Sequence, residues 1–400
     1  MSAILNIIGI FLLLGAMYLL SYHRESVQWK QIGKAIALQF VIALLIIKVP
    51  AGQAVISVIS DGVAKVLTYG SEGIQFVFGS LGMPDAPTGY IFAFQTLGNI
   101  VFISALVGVL FYTGILGFVI SKVGWLLGKI FGTSEVESFV AIANMFLGQT
   151  DSPILVSKYL PFMSDSEVML VLISGMGSMS VSILAGYAAL GIPMEALLIA
   201  STLVPIGSVI ISKILLPQVD KMSDIQEVKL DRKGDNTNVI DAMSAGAMDG
   251  MHMAMAIGAA LIAIFSIVAL VNGILGIVGL SLEGILSYLF APIGYLMGLD
   301  SQNALVAGEL LGSKLILNEF VAFGKLGSIL QSMDYRTGMM LSIALAGFAN
   351  VGSIGMCVSG ISILCPSKKP VLARLAPKGM IGGFAVSLLS SLIVGLLLLF

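Results

Sequence analysis

Acidic residues stand in several stretches of this chain that are otherwise mostly apolar. They are Glu72, Asp151, Glu309 and Glu319. Asp151 directly follows Gln149 and Thr150, so that amide, hydroxyl and carboxylate groups stand side by side and are able to bind the polar edge of a ligand. A turn before Pro153 that Asp151 caps with its own side chain is the structural alternative. We favour the ligand-binding interpretation, because a turn needs neither the glutamine nor the threonine.

Glu319 follows Asn318, which places a carboxylate beside an amide. This pair suits the vicinal hydroxyls of a sugar, and an ion pair between Glu319 and Lys314 is the structural alternative. Glu309 is able to pair with Lys314 equally well, and we interpret Glu309 as structural. Glu72 lies in an amphipathic stretch where solvation is cheap, so we interpret it as structural as well.

Asn350 and Ser353 are three residues apart and therefore share one face if the segment is helical. They are candidates for ligand binding, and hydrogen bonds between helices are the alternative. Phe348, beside them, is by default a packing residue. Asn144, with backbone carbonyls near Leu147 and near Ser178, offers hard oxygen ligands for a small cation.

Composition explains why so few polar residues matter. The 400 residues are 58% hydrophobic and 10% charged, whereas soluble chains average about 45–50% and about 25%. Lipid must therefore be the solvent for most of this surface. The net charge of -2 gives no basic patch for nucleic acid. Two cysteines and two histidines exclude a disulfide framework and a Cys/His metal cage, and we interpret both cysteines as packing residues.

Eight stretches are long and apolar enough to predict membrane-spanning helices. They lie near 3–20, 35–49, 96–121, 167–188, 193–215, 254–278, 338–360 and 380–400. The first is predicted to be a retained helix and not a cleaved signal, and 51–80 is predicted to be an interfacial helix. If the helices alternate and both termini face outward, most lysines and arginines lie on the cytoplasmic side.

Two further stretches, 137–165 and 300–325, enter and leave on the same side and are predicted to be re-entrant hairpins of opposite orientation. A broken helix follows each, with breaks predicted within 175–182 and 348–353. This pattern predicts an inverted-repeat transporter with its site where the breaks meet. The predicted organisation is a scaffold with an interfacial helix (1–135), a first transport repeat (136–216), a cytoplasmic loop (217–250), a scaffold helix (251–285) and a second transport repeat (286–400).

Several short motifs together resemble the concentrative nucleoside transporter family in its bacterial eight-helix form. They are Gly-Gln-Thr-Asp at 148–151, Asn-Glu-Phe-Val-Ala at 318–322 and Gly-Phe-Ala-Asn at 347–350 with Ser353, together with the residues at 69–79 and 103–106. The resemblance runs in order over nearly the whole chain. It implies a homotrimer in the bacterial cytoplasmic membrane that takes up nucleosides with a sodium or proton gradient by alternating access.

The resemblance also implies roles for individual residues. The nucleobase would be bound by Gln149, Thr150, Asp151 and Ile183. The ribose would be bound by Glu319, Phe348, Asn350 and Ser353. A sodium ion would be bound by Asn144, Leu147, Ser178 and Met179, the second and fourth through their carbonyls.

One departure from the family concerns Asp151, where the family usually has glutamate. The side chain is one methylene shorter, so that direct contact with the base becomes water-mediated or leaves room for a larger base. We therefore predict a preference for purine nucleosides, and sodium as the coupling ion in place of a proton. Proton coupling with a broad or pyrimidine preference stays open, as does a channel that binds nucleosides without concentrating them. A membrane enzyme is disfavoured, because usable histidine or cysteine is lacking.

Overall fold

The computed structural model describes residues 2–83, 89, 91–220 and 236–400, and within these ranges it contains helices and no β-strand. The first helices are α1 (Ser2–Leu19), α2 (Trp29–Lys48), α3 (Pro50–Phe78), α4 (Phe92–Tyr112) and α5 (Ile115–Phe131). The next are α6 (Glu135–Leu147), α7 (Ser152–Leu155), α8 (Asp165–Gly177), α9 (Val181–Ala189) and α10 (Met194–Leu215). The last are α11 (Val239–Leu275), α12 (Leu282–Leu296), α13 (Ser301–Ile316), α14 (Glu319–Ile329), α15 (Tyr335–Leu345), α16 (Val351–Leu364) and α17 (Lys369–Leu397).

Within the described ranges, seven helical segments are long and apolar enough to cross a membrane. They confirm the predicted all-α membrane class. The eighth predicted span, 338–360, consists of α15 and α16, each too short to cross alone. The stretch 51–80 is one continuous helix, α3, and it is not among the seven apolar segments.

Two element boundaries differ from the prediction. The predicted helix 96–121 is in fact most of α4 and the start of α5, because Gly114 between them has a φ of 82° and turns the chain. Helix α12 was not predicted, and it turns by 118° into α13. The predicted loop 217–250 is too long, since α11 begins at Val239, while residues 221–235 of that loop lie outside the described part of the chain.

The order of elements occurs twice. A long helix (α4 or α11) and a short one (α5 or α12) precede a two-helix hairpin, a broken helix and a long closing helix (α10 or α17). Hairpin 1 consists of α6 and α7, and hairpin 2 of α13 and α14. Broken helix 1 consists of α8 and α9, and broken helix 2 of α15 and α16. The duplication agrees with the predicted repeat, and the orientation of each repeat in the membrane stays a prediction.

Helices α4 and α11 approach each other through small residues. A Cβ on Gly250 would lie 2.8 Å from the Cα of Val101, and a Cβ on Gly108 would lie 2.8 Å from the carbonyl oxygen of Ala242. Glycine is therefore required on both helices, as in other close membrane helix pairs. This tight pair is separate from the helices that close the two repeats.

Helices α1 and α2 pack mainly against α10 and α17, and α2 also packs against α3. Gln39 of α2 donates to the carbonyl of Leu203 at 3.3 Å and to the Ser390 hydroxyl at 3.2 Å. Asn6 of α1 donates to the carbonyl of Leu392 at 3.1 Å. The predicted assignment of all of 1–135 to a scaffold stays a prediction, and these contacts favour grouping α1 and α2 with the repeats.

Candidate functional site

The breaks in the two broken helices lie in direct contact. The backbone N–H of Phe348 donates to the carbonyl of Ser178 at 3.2 Å. Gly347 has a φ of 97°, and a Cβ there would lie 2.4 Å from the carbonyl oxygen of Gly177. Only glycine permits this close crossing. The sequence prediction that the breaks meet is therefore correct.

Glu319 is the buried carboxylate beside this crossing. It is the first residue of α14, and Asn318 caps that helix by accepting from the N–H of Val321 at 3.0 Å. The carboxylate accepts hydrogen bonds from the hydroxyl of Tyr187 at 3.0 Å and from the side-chain amide of Asn350 at 3.1 Å. Two donors from two different helices thus fix its orientation, as a buried charge requires.

Asn350 also organises the start of α16. Its side-chain oxygen accepts from the backbone N–H of Ser353 at 3.0 Å, which makes Asn350 the N-cap of that helix. Asn350 and Ser353 lie in direct contact, but Asn350 lies at the break and not within a continuous helix. Both are buried.

Gln149 connects the tip of hairpin 1 to the second repeat. Its amide nitrogen donates to the hydroxyl of Ser353 at 3.2 Å, and its amide oxygen accepts from the thiol of Cys357 at 3.3 Å. A continuous hydrogen-bonded chain therefore runs from Gln149 through Ser353 and Asn350 to Glu319. It joins two hairpin tips that are far apart in sequence.

Thr150 and Asp151 lie beside this chain and do not join it. The exposed Thr150 hydroxyl donates to the Asp151 carboxylate at 3.0 Å. Asp151 is half-buried and stands at the N-cap of α7, but its side chain makes no capping hydrogen bond. The alternative of a self-capping turn is therefore wrong, and contact of either residue with a base stays a prediction.

Apolar side chains border the same region. Ile183 is buried on α9. The ring of Phe348 lies against the backbone of hairpin 1, so that a Cβ on Gly148 would be 3.4 Å from it. These positions agree with a site that has apolar walls and a few oriented polar groups.

Two residues that bond to the ends of this hydrogen-bonded chain were missed in the sequence. Tyr187 was not predicted, and Cys357 was interpreted only as a packing residue, although both contact predicted site residues. Tyr187 follows Ile183 by four residues and Cys357 follows Ser353 by four, so each shares a helical face with a predicted residue. That spacing was the available signal.

The candidate cation ligands cluster next to the tip of hairpin 1 and at the first break. The buried Asn144 donates to the Ser174 hydroxyl at 2.8 Å and accepts from the Ser152 hydroxyl at 2.7 Å. Leu147 is the last residue of α6. Ser178 and Met179 are buried where α8 ends.

Neutral oxygen atoms prevail in this cluster, which suits a monovalent hard cation. The hydroxyl of Ser180, at the same break, is buried without a hydrogen-bond partner. Such an orphaned polar oxygen fits a place where an ion or a water molecule would supply the missing partner. Within the described ranges, no group of three or more His, Cys, Asp or Glu residues is placed to hold a metal ion.

The proposed ion pairs of Lys314 are wrong. Glu309 pairs with Lys325 at 2.7 Å, and the ammonium of Lys314 donates to the backbone carbonyls of Ala344 and Ala346. The salt bridges found in the described part of the chain include neither Lys314 nor Glu319. Glu319 therefore does not serve to close hairpin 2 through Lys314.

Long apolar helices, a duplicated element order and polar residues at two crossing helix breaks define a secondary membrane transporter. Family models support this and specify it. Those for the C-terminus and N-terminus of the Na+ dependent nucleoside transporters match residues 196–395 and 8–81, and one for nucleoside recognition matches 93–194. The chain belongs to the Na+ dependent nucleoside transporter family.

Individual proteins agree along their whole lengths. An uncharacterized transporter of Haemophilus influenzae is 38% identical, covering 99% of this chain and 98% of its own. The nucleoside permease NupC of Helicobacter pylori is 34% identical, with coverage of 99% and 98%. The structure of CNTnw in an inward-facing substrate-bound state has a TM-score of 0.95 at 34% identity, covering 100% of this chain and 99% of that one. The resemblance seen in the sequence is thereby confirmed, and the protein is a transporter and not an enzyme.

Proposed function

We propose that this protein imports nucleosides together with sodium by alternating access across a bacterial cytoplasmic membrane. The observation that carries the proposal is the hydrogen-bonded chain from Gln149 to Glu319 across the two touching breaks. A ligand bound there would bridge the two hairpin tips. The family description supports sodium, and CNTnw has structures in both inward-facing and outward-facing states.

The ribose would lie at the Glu319 end of the chain. The Asn350 amide donates a hydrogen bond to the Glu319 carboxylate at 3.1 Å. Both groups keep further donor and acceptor positions that would bind the vicinal hydroxyls of a ribose. Ser353 would complete the set, and Phe348 would pack against the sugar. Because the protein orients these groups beforehand, little conformational entropy is lost when the ligand binds.

The nucleobase would lie at the hairpin 1 end, beside Gln149, Thr150, Asp151 and Ile183. The Asp151 carboxylate is short and already accepts from Thr150. A water molecule between Asp151 and the base, or a larger base, would fill the remaining distance. This supports a preference for purine nucleosides.

Sodium would bind Asn144, Ser178 and the carbonyls of Leu147 and Met179. Gln149 follows Leu147 by two residues, so a cation there would fix the backbone that carries Gln149. Sodium would then raise the affinity for nucleoside, because it orders the tip of hairpin 1 that binds the nucleobase. By reciprocity, nucleoside would raise the affinity for sodium. That energetic coupling is what makes the import concentrative.

The assembly would be a homotrimer with both termini outside. The surface of α11 supports an interface with lipid or with other subunits, because large apolar residues such as Met255, Ile262 and Phe265 are exposed there. Crosslinking of the purified protein in lipid tests this, since a single monomer band would contradict the trimer.

Proteoliposomes with separately imposed sodium and proton gradients test the central proposal. We expect labelled inosine to accumulate above its external level only with an inward sodium gradient. In Asn144→Leu, the sodium gradient should no longer stimulate this accumulation. Gln302→Leu, an exposed glutamine at the start of α13, is the control. Sodium-independent accumulation driven by a pH gradient would establish the proton-coupled alternative, and equilibration without accumulation would establish a channel.

Competition experiments test the base preference. We expect unlabelled inosine and guanosine to inhibit uptake at lower concentrations than uridine does. Asp151→Glu restores the longer side chain and should shift the preference toward uridine. Uridine as the best competitor of the unmodified protein would contradict the role given to Asp151.

A further inference from the structure

Lys314 is a fully buried lysine that faces the second helix break. Its relative exposure is 0%. The ammonium donates to the carbonyl of Ala344 at 2.9 Å, the carbonyl of Ala346 at 2.7 Å and the hydroxyl of Ser387 at 3.1 Å. An ammonium has three N–H donors, and each has an oxygen partner here.

These partners are neutral oxygens and not an acid. Two are carbonyls at the C-terminal end of α15, where the unpaired carbonyls of a helix carry partial negative charge. Neutral carbonyl and hydroxyl oxygens are also the groups that bind a small hard cation in a protein. The surroundings of the ammonium are therefore those of a cation site.

The position of Lys314 in its repeat matches that of Asn144. Asn144 lies in the last turn of α6, the first helix of hairpin 1, and Lys314 lies in the last turn of α13, the first helix of hairpin 2. Each side chain reaches the last turns of the helix that precedes the break in its own repeat, α8 or α15. Asn144 contacts Ser174 of α8, and Lys314 contacts Ala344 of α15.

We propose that the ammonium of Lys314 is a built-in cation, which occupies in the second repeat the place that the coupling ion occupies in the first. This deepens the proposed function and rests on its assignment of the first site. The second break then needs no ion from solution, and the two breaks together take up one exchangeable cation per transport cycle.

Chemical rescue tests the proposal. Lys314→Ala removes the ammonium and leaves its oxygen partners, so nucleoside-dependent thermal stabilisation of the purified protein should be lost. Ethylammonium or propylammonium added to the buffer should restore folding or nucleoside binding, because a small ammonium fits the space, whereas tetramethylammonium lacks N–H donors and should not. Lys325→Ala, whose ammonium pairs with Glu309 and is partly exposed, is the control that amines should not affect.

Lys314→Gln separates charge from hydrogen bonding. We expect the nucleoside Kd of Lys314→Gln to be higher by about tenfold or more, because the glutamine amide donates hydrogen bonds but carries no charge. Binding by Lys314→Gln equal to that of the unmodified protein would overturn the proposal, and so would failure of every primary ammonium to restore Lys314→Ala. Sodium-independent uptake by the unmodified protein would overturn the sodium assignment alone, because amine rescue does not depend on which ion is coupled.

Discussion

The hydrogen bond between Tyr187 and Glu319 allows a sharp test of how the site is built. Tyr187→Phe removes one oxygen atom and keeps the ring, which packs against Phe320 and Phe323 at centroid distances of 4.7 and 4.6 Å. The lost bond is 3.0 Å long and ends on a carboxylate. A hydrogen bond to a charged group contributes about 1.5–3 kcal/mol.

That energy corresponds to roughly a 10- to 150-fold change in an equilibrium constant. With only Asn350 left as a donor, the Glu319 carboxylate rotates more freely and must be reoriented when the ribose binds. We therefore expect the nucleoside Kd to rise by about tenfold or more, with little change in the number of folded molecules.

Nucleoside titration of the purified protein, by calorimetry or by equilibrium binding of a labelled nucleoside, measures this effect. Tyr288→Phe is the matched control, because Tyr288 is 76% exposed on α12 and away from the breaks. A 2′,3′-dideoxynucleoside lacks the hydroxyls and should be bound equally by Tyr187→Phe and the unmodified protein. A nucleoside Kd unchanged in Tyr187→Phe would refute the reasoning that this bond orients Glu319.

Further substitutions test packing and charge. Gly347→Ala should lower the apparent Tm in detergent and abolish uptake, because the added Cβ would lie 2.4 Å from the carbonyl of Gly177; unimpaired uptake would show that the breaks do not cross this closely. Lys213→Met should destabilise the protein by about 3–5 kcal/mol, because it leaves the fully buried Glu137, bonded at 2.8 Å, without its cation. Adding Glu137→Gln should recover most of that loss in thermal unfolding, and no recovery would argue against a charge effect.

The sequence predicted the class and the broken elements for local reasons. Apolar length predicts membrane helices whatever their neighbours are. Glycine and polar runs near 148–152, 178 and 347–350 predict interruptions, because they favour backbone conformations and side-chain caps that a continuous helix lacks. Element boundaries were less certain, and a single glycine with positive φ, Gly114, divided one predicted helix into two.

The acidic and amide residues of the site were also visible in the sequence, because buried polar groups are rare in apolar segments. Which of these residues bond to one another, and which further side chains they contact, was not visible. Lys314 is only five residues from Glu319, yet its ammonium binds the carbonyl of Ala344, 30 residues away. Proximity in sequence suggested the ion pair as the structural alternative, whereas the packing of α13 on α15 directs the Lys314 side chain elsewhere.

What the sequence by itself determined is therefore the solvent, the helices, their breaks and the short list of polar residues able to act. Only the tertiary structure decided which atoms touch where the breaks cross, that Gln149 reaches Ser353 over 204 residues, and that Tyr187 holds Glu319. The physical reason is that hydrogen bonds act over about 3 Å. Which groups come that close depends on helix crossings, and those are set by packing over the whole molecule.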